Sequence, residues 1–413
     1  MFTLMSYAHG GLFHPFLSLC FALLLLLLPG EAYQDLSDAS LRSLPRPHSD
    51  FDIHNGALLS PILIPRVSGT SGSTKVLTHF ADFIRTNLPD WNIEFQNSTS
   101  TTPVSNGKEV PFVNLIASRD PPWAGPGDVS RLTIVAHYDS KYSPEGFIGA
   151  TDSAAPCAMM MHTMRSIDAA LTEKWKTMKA EGHIHASVDE PKGIQFLFLD
   201  GEEAFDQWTD TDSLYGARSL AEQWDGQMHP VMSAFKTPLA SISLFVLLDL
   251  LGAKDPGVQS YFQTTHWAYQ KMANLEKRLR DLAQFRSSNE GTGRPWFLDA
   301  AKSEDQLPKG LSIEDDHIPF LKRGVEILHV IDASPYRGFP EVWHNMKGIP
   351  DDGEHLDMDT VEDWSTLITA FVAEWMELEG FMPSSTDQDP TMQDTGSKRS
   401  VQGAKQFNKK TEL

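Results

Sequence analysis

The chain contains 413 residues, of which 41% are hydrophobic and 22% are charged, and this composition is normal for a globular protein. The length permits two or three domains, although a single large α/β domain is also ordinary at this size. The formal net charge of -21 argues against nucleic acid as a partner, because phosphate binding needs a basic surface, and gives no reason to expect binding to anionic membranes.

The N-terminal segment predicts a signal peptide over residues 1–32. Residues 16–28 are almost wholly apolar, but this run is shorter than the ~20 residues that a membrane-spanning helix needs. Pro-Gly-Glu-Ala follows at 29–32, with small residues suited to cleavage near Ala32. Because no Lys or Arg precedes the apolar run, an uncleaved signal anchor is the alternative. Cleavage would give a secreted chain with no stable membrane association, and it would begin with an N-terminal extension over residues 33–57.

The two cysteines exclude an internal disulfide in the mature chain. Cys20 lies within the predicted signal peptide, so Cys157 has no partner and is interpreted as a buried structural thiol. A secreted protein without disulfides must rely on a large core, which this length can supply. The single glycosylation sequon begins at Asn97, and its polar surroundings predict a surface loop.

Hydrophobic periodicity predicts strands and helices along the middle of the chain. An amphipathic helix over 76–88 is followed by strands at 91–95 and 110–117. Four continuous apolar runs, typical of strands buried on both faces, lie at 132–136, 194–199, 243–248 and 325–331. Helical stretches separate or follow them at 154–170, 213–224, 265–283 and 361–375. This alternation predicts an α/β fold with a largely parallel central sheet covered by helices.

The C-terminal residues 381–413 differ from this pattern. They are rich in small polar and charged residues and contain almost no large apolar side chains. Such a segment cannot bury enough surface to offset its chain entropy, so we expect it to be a disordered polar tail. The folded domain is therefore predicted to span residues 58–380.

Polar clusters follow the predicted buried strands, at the edge of the sheet where ligand sites form in open α/β folds. Each is weak evidence alone, because Asp152 suits a helix cap, Glu202 and Glu203 suit a solvated face, and His344 suits a surface position. One His and several carboxylates at one sheet edge are together what a borderline metal such as zinc requires. Asp-Gly-Glu-Glu at 200–203 is the sharpest element, since one Glu can bind metal while its neighbour acts as a base.

Ordered motifs run through the folded region: SPILI at 60–64, HYDSK at 137–141, GATDSA at 149–154, DGEEAF at 200–205, DSLYG at 212–216, LDLLG at 248–252, DDHIPF at 315–320 and PEVWH at 340–344. They resemble, in identity and order, the motifs of the glutaminyl-peptide cyclotransferases, and the resemblance spans about residues 58–380. It implies a single-domain, three-layer α/β sandwich of the zinc aminopeptidase-like kind. It also implies cyclisation of the N-terminal glutamine of peptides or proteins to pyroglutamate, with release of ammonia.

The resemblance implies a set of metal ligands. In the related zinc aminopeptidases, two zinc ions are held at positions similar to five residues here, namely His137, Asp152, Glu203, Asp249 and His344. The cyclotransferases keep one zinc ion, which implies Asp152, Glu203 and His344 as its ligands. His137 would then mark a vestigial second-metal position. All five side chains are present, so the sequence does not itself exclude a second metal.

The resemblance also implies roles for other residues. Glu202 would be the general acid and base, with Asp249 and Asp315 in a hydrogen-bond network that orients it or the leaving group. Trp208, Phe339 and Trp343 would line the substrate pocket. From the residues alone, Trp343 also suits a core position and the choice of Asp315 over Asp316 stays open.

The sequence departs from the family pattern at a few positions. Ala136 stands where many secreted relatives carry a cysteine that pairs with one similar to Cys157, so that disulfide cannot form. Glu314 and Gln207 could shift substrate preference.

Two alternative functions stay open. They are a dizinc aminopeptidase and an inactive secreted binding protein, although no ligand or base position has been lost. We expect a monomer.

Overall fold

The computed structural model describes residues 35–182, 191–287, 293–308, 310 and 313–382. Its centre is a mixed sheet of six strands in the order β1-β2-β4-β3-β5-β6. The strands are β1 (Asn92–Thr101), β2 (Glu109–Arg119), β3 (Ser130–His137), β4 (Lys192–Leu199), β5 (Ile242–Asp249) and β6 (Ile327–Ile331). The predicted signal peptide, and the predicted polar tail from residue 383 onward, lie outside the described residues.

The four strands with continuous apolar sequences form the parallel part of the sheet. β3 pairs in parallel with both β4 and β5, so that Ile134 lies opposite Phe196 on one side and Val246 on the other. β6 extends this parallel set, whereas β1 and β2 are antiparallel to their neighbours. The predicted α/β fold with a largely parallel sheet is therefore confirmed.

Seven α-helices are found within the described residues. They are α1 (Asp38–Arg42), α2 (Ser71–Asn87), α3 (Ala155–Ala180), α4 (Tyr215–Gly226), α5 (His266–Asp281), α6 (Ile318–Leu321) and α7 (Met358–Trp375). The longer helices begin and end within a few residues of the predicted bounds, except that α3 continues ten residues beyond the predicted end at 170.

Two apolar cores lie on opposite faces of the sheet and make three layers. Side chains alternate along a strand, so Ile134 and Phe196 face one core while Val135 and Leu197 face the other. The first core packs against α2, α3, α5 and α7, and the second packs mainly against α4 and α6. This arrangement fixes the sheet from both sides and leaves its carboxyl edge free for loops.

The segment before residue 58 packs against the first core. Leu36, Leu41 and Phe51 are buried there. His162 on α3 is also buried, and its Nε2 lies 3.1 Å from the carbonyl oxygen of Pro45. Since a carbonyl only accepts, that ring nitrogen carries the hydrogen and donates.

The predicted free thiol is confirmed. Cys157 is a buried free thiol on α3 that donates to the carbonyl oxygen of His137 at 3.3 Å.

Asn97 of the sequon is exposed, but the prediction of a loop was wrong, because Asn97 lies within strand β1. β1 is an edge strand with a mostly exposed sequence, and its polar composition resembles that of a loop. Among the described residues, no helix is long and apolar enough to cross a membrane.

The buried His162 predicts a loss of stability in acid. Burial lowers its pKa from 6.5 to about 4 despite the hydrogen bond to the Pro45 carbonyl, so the unfolded chain binds a proton that the folded chain does not. Stability should therefore fall by up to about 3 kcal/mol as the pH drops through this window. The unfolding free energy of the wild type minus that of His162→Gln should therefore decrease as the pH falls from 6.5 to about 4.

The matched control is His54→Gln, which replaces a histidine with 67% of its side chain exposed. Chemical denaturation of all three proteins at several pH values provides the measurement. A wild-type minus His162→Gln difference that stays constant from neutral to acid pH would contradict the assignment of a buried, neutral imidazole.

Candidate metal centre and active-site cavity

The carboxyl ends of the parallel strands bring the predicted site residues to one edge of the sheet. β3 ends at His137 and β5 at Asp249, while the turn after β4 carries Glu202 and Glu203. Asp152 lies in the turn that leads into α3, and its carboxylate contacts histidines rather than capping that helix. Parallel pairing thus juxtaposes residues that are far apart in the sequence.

Asp152, Glu203 and His344 form a group that could hold a metal ion. His344 Nε2 lies 3.3 Å from Asp152 Oδ2 and 3.7 Å from Glu203 Oε1. Both carboxylates are buried, and Glu203 Oε1 has no hydrogen-bond partner among the described residues. One imidazole and two carboxylates, with a buried oxygen left unpaired, fit a borderline cation such as zinc.

The charges of this triad are strongly perturbed by their surroundings. Burial alone would raise the pKa of Asp152, but hydrogen bonds to His137 and His344 hold it below its ordinary value. Burial and the nearby Asp152 carboxylate raise the pKa of Glu203 to about 7, although Lys141 acts in the opposite direction. A bound cation would favour the charged form of this Glu.

His137 joins a second group with Asp152 and Asp249. Its Nε2 lies 3.0 Å from Asp152 Oδ1 and 3.6 Å from Asp249 Oδ1. Ser153 Oγ also donates to Asp249 Oδ1. These three potential metal ligands are therefore already engaged with each other or with protein donors, in contrast to Glu203 Oε1.

Asp139 fixes the backbone of the two glutamates. Its Oδ1 accepts the N–H of Glu202, and its Oδ2 accepts the N–H of Glu203, both at 3.1 Å. Lys141 in the same motif lies 3.0 Å from Glu203 Oε2. No role was predicted for Asp139 or Lys141 from the sequence, although both belong to the HYDSK motif that begins at the last residue of β3.

Glu202 lies beside the metal-ligand triad in a buried environment. Burial raises its pKa well above the ordinary value, His137 opposes this, and the carboxylates of Glu203 and Asp315 add to it. A Glu with a raised pKa can exchange protons near neutral pH, as a general acid or base must.

Asp315 lies near this group but pairs with a different partner. Its Oδ2 is 2.7 Å from His329 Nε2, and its Oδ1 accepts the N–H of Asp316 at 2.6 Å. No hydrogen bond joins Asp315 to Glu202 in the part of the chain that the structure describes. His329 was not predicted as a site residue. It is the one ionisable residue of the otherwise apolar strand β6, and this position was the sequence signal that could have identified it.

A cavity of about 360 Å³ opens onto the triad and Glu202. Phe339 and Trp343 line it with ring centroids 4.3 Å apart, and Trp343 also stacks on His344 at 4.0 Å. Trp343 is therefore on the cavity wall and only half-buried. Trp208 lines the outer part, where its indole N–H donates to Glu314 Oε2 at 2.9 Å.

Buried Arg66 connects the loops of the site. Its Nε donates to the carbonyl oxygen of Tyr138 at 2.6 Å, and its Nη2 donates to those of Gly149 and Asp152 at 2.9 and 3.3 Å. Its Nη1 donates to the carbonyl oxygen of Ile148. The guanidinium thus holds the backbone directly after β3 against the turn that carries Asp152.

The chain is similar in sequence to a known protein family and to several of its relatives. The model of peptidase family M28 matches residues 114–372. A glutaminyl-peptide cyclotransferase-like protein of Bos taurus is 37% identical over 357 residues, covering 85% of this chain and 82% of that protein. A glutaminyl-peptide cyclotransferase of Bothrops jararaca is 37% identical over 328 residues, covering 78% of this chain and 80% of that protein.

Solved structures show the same fold. A glutaminyl cyclase of Macrostomum lignano superposes with a TM-score of 0.66 and 28% identity, covering 84% of this chain and 95% of that one. A zinc-dependent exopeptidase of Parabacteroides distasonis superposes with a TM-score of 0.51 and 18% identity, covering 82% and 98% of the two chains. The second match shows the fold alone.

The triad predicts that His344→Ala will lower metal affinity. Removing one of three protein ligands should leave the dialysed protein with little zinc, whereas His54→Ala, at an exposed histidine, should retain the wild-type content. Elemental analysis of the purified proteins measures this directly. Equal zinc contents in His344→Ala and the wild type would exclude His344 as a ligand.

Proposed function

Because the chain belongs to the glutaminyl-peptide cyclotransferases of peptidase family M28, we propose that it converts the N-terminal glutamine of peptides and proteins to pyroglutamate, releasing ammonia. The observation that carries this proposal is the position of Glu202. It is a buried carboxylate of raised pKa, directly beside the triad Asp152, Glu203 and His344, in an aromatic-walled cavity. A base, a cation site and a small enclosed space are what the reaction requires.

The metal site is proposed to hold one zinc ion. Asp152, Glu203 and His344 would be its ligands, and zinc bound there supplies Lewis-acid polarisation of the glutamine side-chain amide. The proposal of a single ion is supported by the hydrogen bonding of the other group, in which His137 contacts Asp152 and lies close to Asp249. His137 would therefore serve as a hydrogen-bond partner for these carboxylates.

Glu202 is proposed to move the proton. It accepts a proton from the substrate α-amine, whose nitrogen attacks the side-chain carbonyl carbon and forms the ring. The same Glu then donates this proton to the amide nitrogen as its bond to carbon breaks and ammonia leaves. No acyl-enzyme is needed, because the nucleophile belongs to the substrate.

The surrounding residues are proposed to position Glu202 and the substrate. The N–H of Glu202 is held by Asp139, so the backbone from which the Glu202 carboxylate projects into the cavity is fixed. Asp249 and Asp315 lie near it and would orient it or the leaving group. Phe339, Trp343 and Trp208 would hold the glutamine side chain folded toward its own amine, which lowers the entropic barrier to ring closure.

The cellular setting is also a proposal. We infer secretion after removal of residues 1–32, action as a monomer, and glycosylation at Asn97. An exposed Asn97 on edge strand β1 supports only the accessibility of that sequon.

Incubation of the zinc-loaded protein with a peptide that begins with glutamine tests the activity. We expect the peptide to lose the mass of one ammonia with its length unchanged, as followed by mass spectrometry. The same peptide with an acetylated N-terminus lacks a free nucleophile and should not react. Release of free glutamine would establish the aminopeptidase alternative, and no reaction would favour a binding protein.

Substitution of Glu202 by Gln tests the proton-transfer role. The change keeps the shape of the side chain but removes the base, so kcat should fall by a factor of about 100 to 10,000. Zinc content should stay at the wild-type level. Glu173→Gln, at an exposed position of α3, provides the matched control and should retain wild-type kcat. A Glu202→Gln kcat within a factor of about two of wild type would rule out this role.

A further inference from the structure

A second cavity of about 350 Å³ lies beside the active-site cavity. The two share Trp208 and Glu314 as lining residues. The second cavity is otherwise lined by residues of the turn before α4, of α4 itself, of α6 and of the two positions after it. Apolar side chains of Leu214, Ile318 and Pro319 line it together with charged ones, including Asp210, Arg218, Glu222 and Lys322. It contains none of the predicted metal ligands or catalytic carboxylates.

The two residues that line both cavities are joined by a hydrogen bond. Trp208 Nε1 donates to Glu314 Oε2 at 2.9 Å, and Trp208 is 38% exposed. The side chains shared by the two cavities are therefore exposed at the protein surface.

The charge at this boundary is unbalanced. Within the described residues, Glu314 is exposed and makes no ion pair, since its carboxylate accepts only from a neutral indole. Lys141, the one cationic lysine or arginine among the lining residues of the active-site cavity, is paired with Glu203 at 3.0 Å. Asp206 adds a further carboxylate to the same cavity lining. Among the described residues that line the active-site cavity, a cationic side chain placed beside Glu314 therefore meets carboxylates and no unpaired Lys or Arg, whereas Arg218, Lys322 and Arg323 line the second cavity.

On the basis of the proposed function, we propose that the second cavity is a subsite for the residues that follow the N-terminal glutamine, and that Glu314 selects peptides with a basic second residue. The glutamine side chain must reach Glu202 and the triad, so the rest of the peptide leaves through the outer part of the first cavity. Glu314 stands at that exit. The second residue passes Glu314, and the third and fourth residues enter the second cavity.

Lys322 gives a second point of contact for the peptide. It lines the second cavity, is exposed and makes no ion pair with any residue that the structure describes. Arg218, by contrast, donates to the backbone carbonyls of Leu214, Asp210 and Thr211. Arg323, the third cationic lining residue, donates to the carbonyl oxygen of Pro319 and lies 3.5 Å from Asp225. Among the described cationic lining residues, Lys322 is therefore the one whose charge is free to respond to side chains at the third and fourth positions.

The test compares kcat/KM for two tetrapeptide amides, Gln-Lys-Ala-Ala and Gln-Glu-Ala-Ala, at low ionic strength. The wild type should favour Lys over Glu by about two- to five-fold, the size expected for one exposed ion pair. Glu314→Gln keeps an oxygen acceptor for the Trp208 indole but removes the charge, so the ratio should approach one. Glu314→Lys should invert it.

Controls separate this effect from general electrostatics. Glu94→Gln removes an exposed carboxylate of strand β1, outside both cavities, and should keep the wild-type ratio. Salt at about 0.5 M should reduce the wild-type ratio, because the pair is exposed to solvent. A Lys-to-Glu ratio in Glu314→Gln equal to that of the wild type would overturn the selective role of Glu314.

Lys322→Glu tests the second cavity with peptides that carry Lys or Glu at the third and fourth positions behind Gln-Ala. The variant should shift the kcat/KM ratio by about two- to five-fold toward the Lys peptide relative to wild type. An unchanged ratio would overturn the assignment of the second cavity to these residues. If no glutaminyl peptide is cyclised by the wild type, the proposed function itself fails, and the subsite falls with it.

Discussion

The balance of charge among the carboxylates buried at the carboxyl edge of the sheet is the constraint on which this structure depends. Removing a carboxylate from water costs several kcal/mol unless hydrogen bonds or opposite charges offset it. Asp139 is offset by two backbone N–H groups, Asp315 by His329, and Asp249 by Ser153 and His137. Glu203 keeps one oxygen unpaired beside Asp152 and His344. Within the described residues, the offset is incomplete at this oxygen of the cation site and at Asp316, which is buried next to Asp315 and has no hydrogen-bond partner for either carboxylate oxygen.

The scaffold around this network restricts where each charge can lie. Parallel strands β3, β4, β5 and β6 deliver their polar ends to one edge, and two apolar cores hold the sheet between helices. Arg66 then connects Tyr138, directly after strand β3, to the turn that carries Asp152 by donating to backbone carbonyls. The resulting rigidity matters for chemistry, because a folded glutamine must meet a base and a cation at fixed positions.

The sequence predicted the sheet, the main helices and the motif positions because apolar runs and strand-end polar residues are local signals. It could not predict that Arg66 binds Tyr138 and Asp152, since such contacts depend on the tertiary fold rather than on spacing. Pairing of Asp315 with His329 was missed for the same reason. The loop predicted around Asn97 is an edge strand, whose solvent-exposed positions are polar like those of a loop.

Anomalous diffraction at the zinc absorption edge, measured on crystals of the zinc-loaded protein, locates the bound metal directly. We expect one strong peak among Asp152, Glu203 and His344. The other two groups of potential ligands, one containing His137 with Asp249 and one containing Asp315 with His329, should show none. A second peak of equal height beside His137 would indicate a dizinc site, and a map without a peak at the first triad would contradict the assignment of the metal centre.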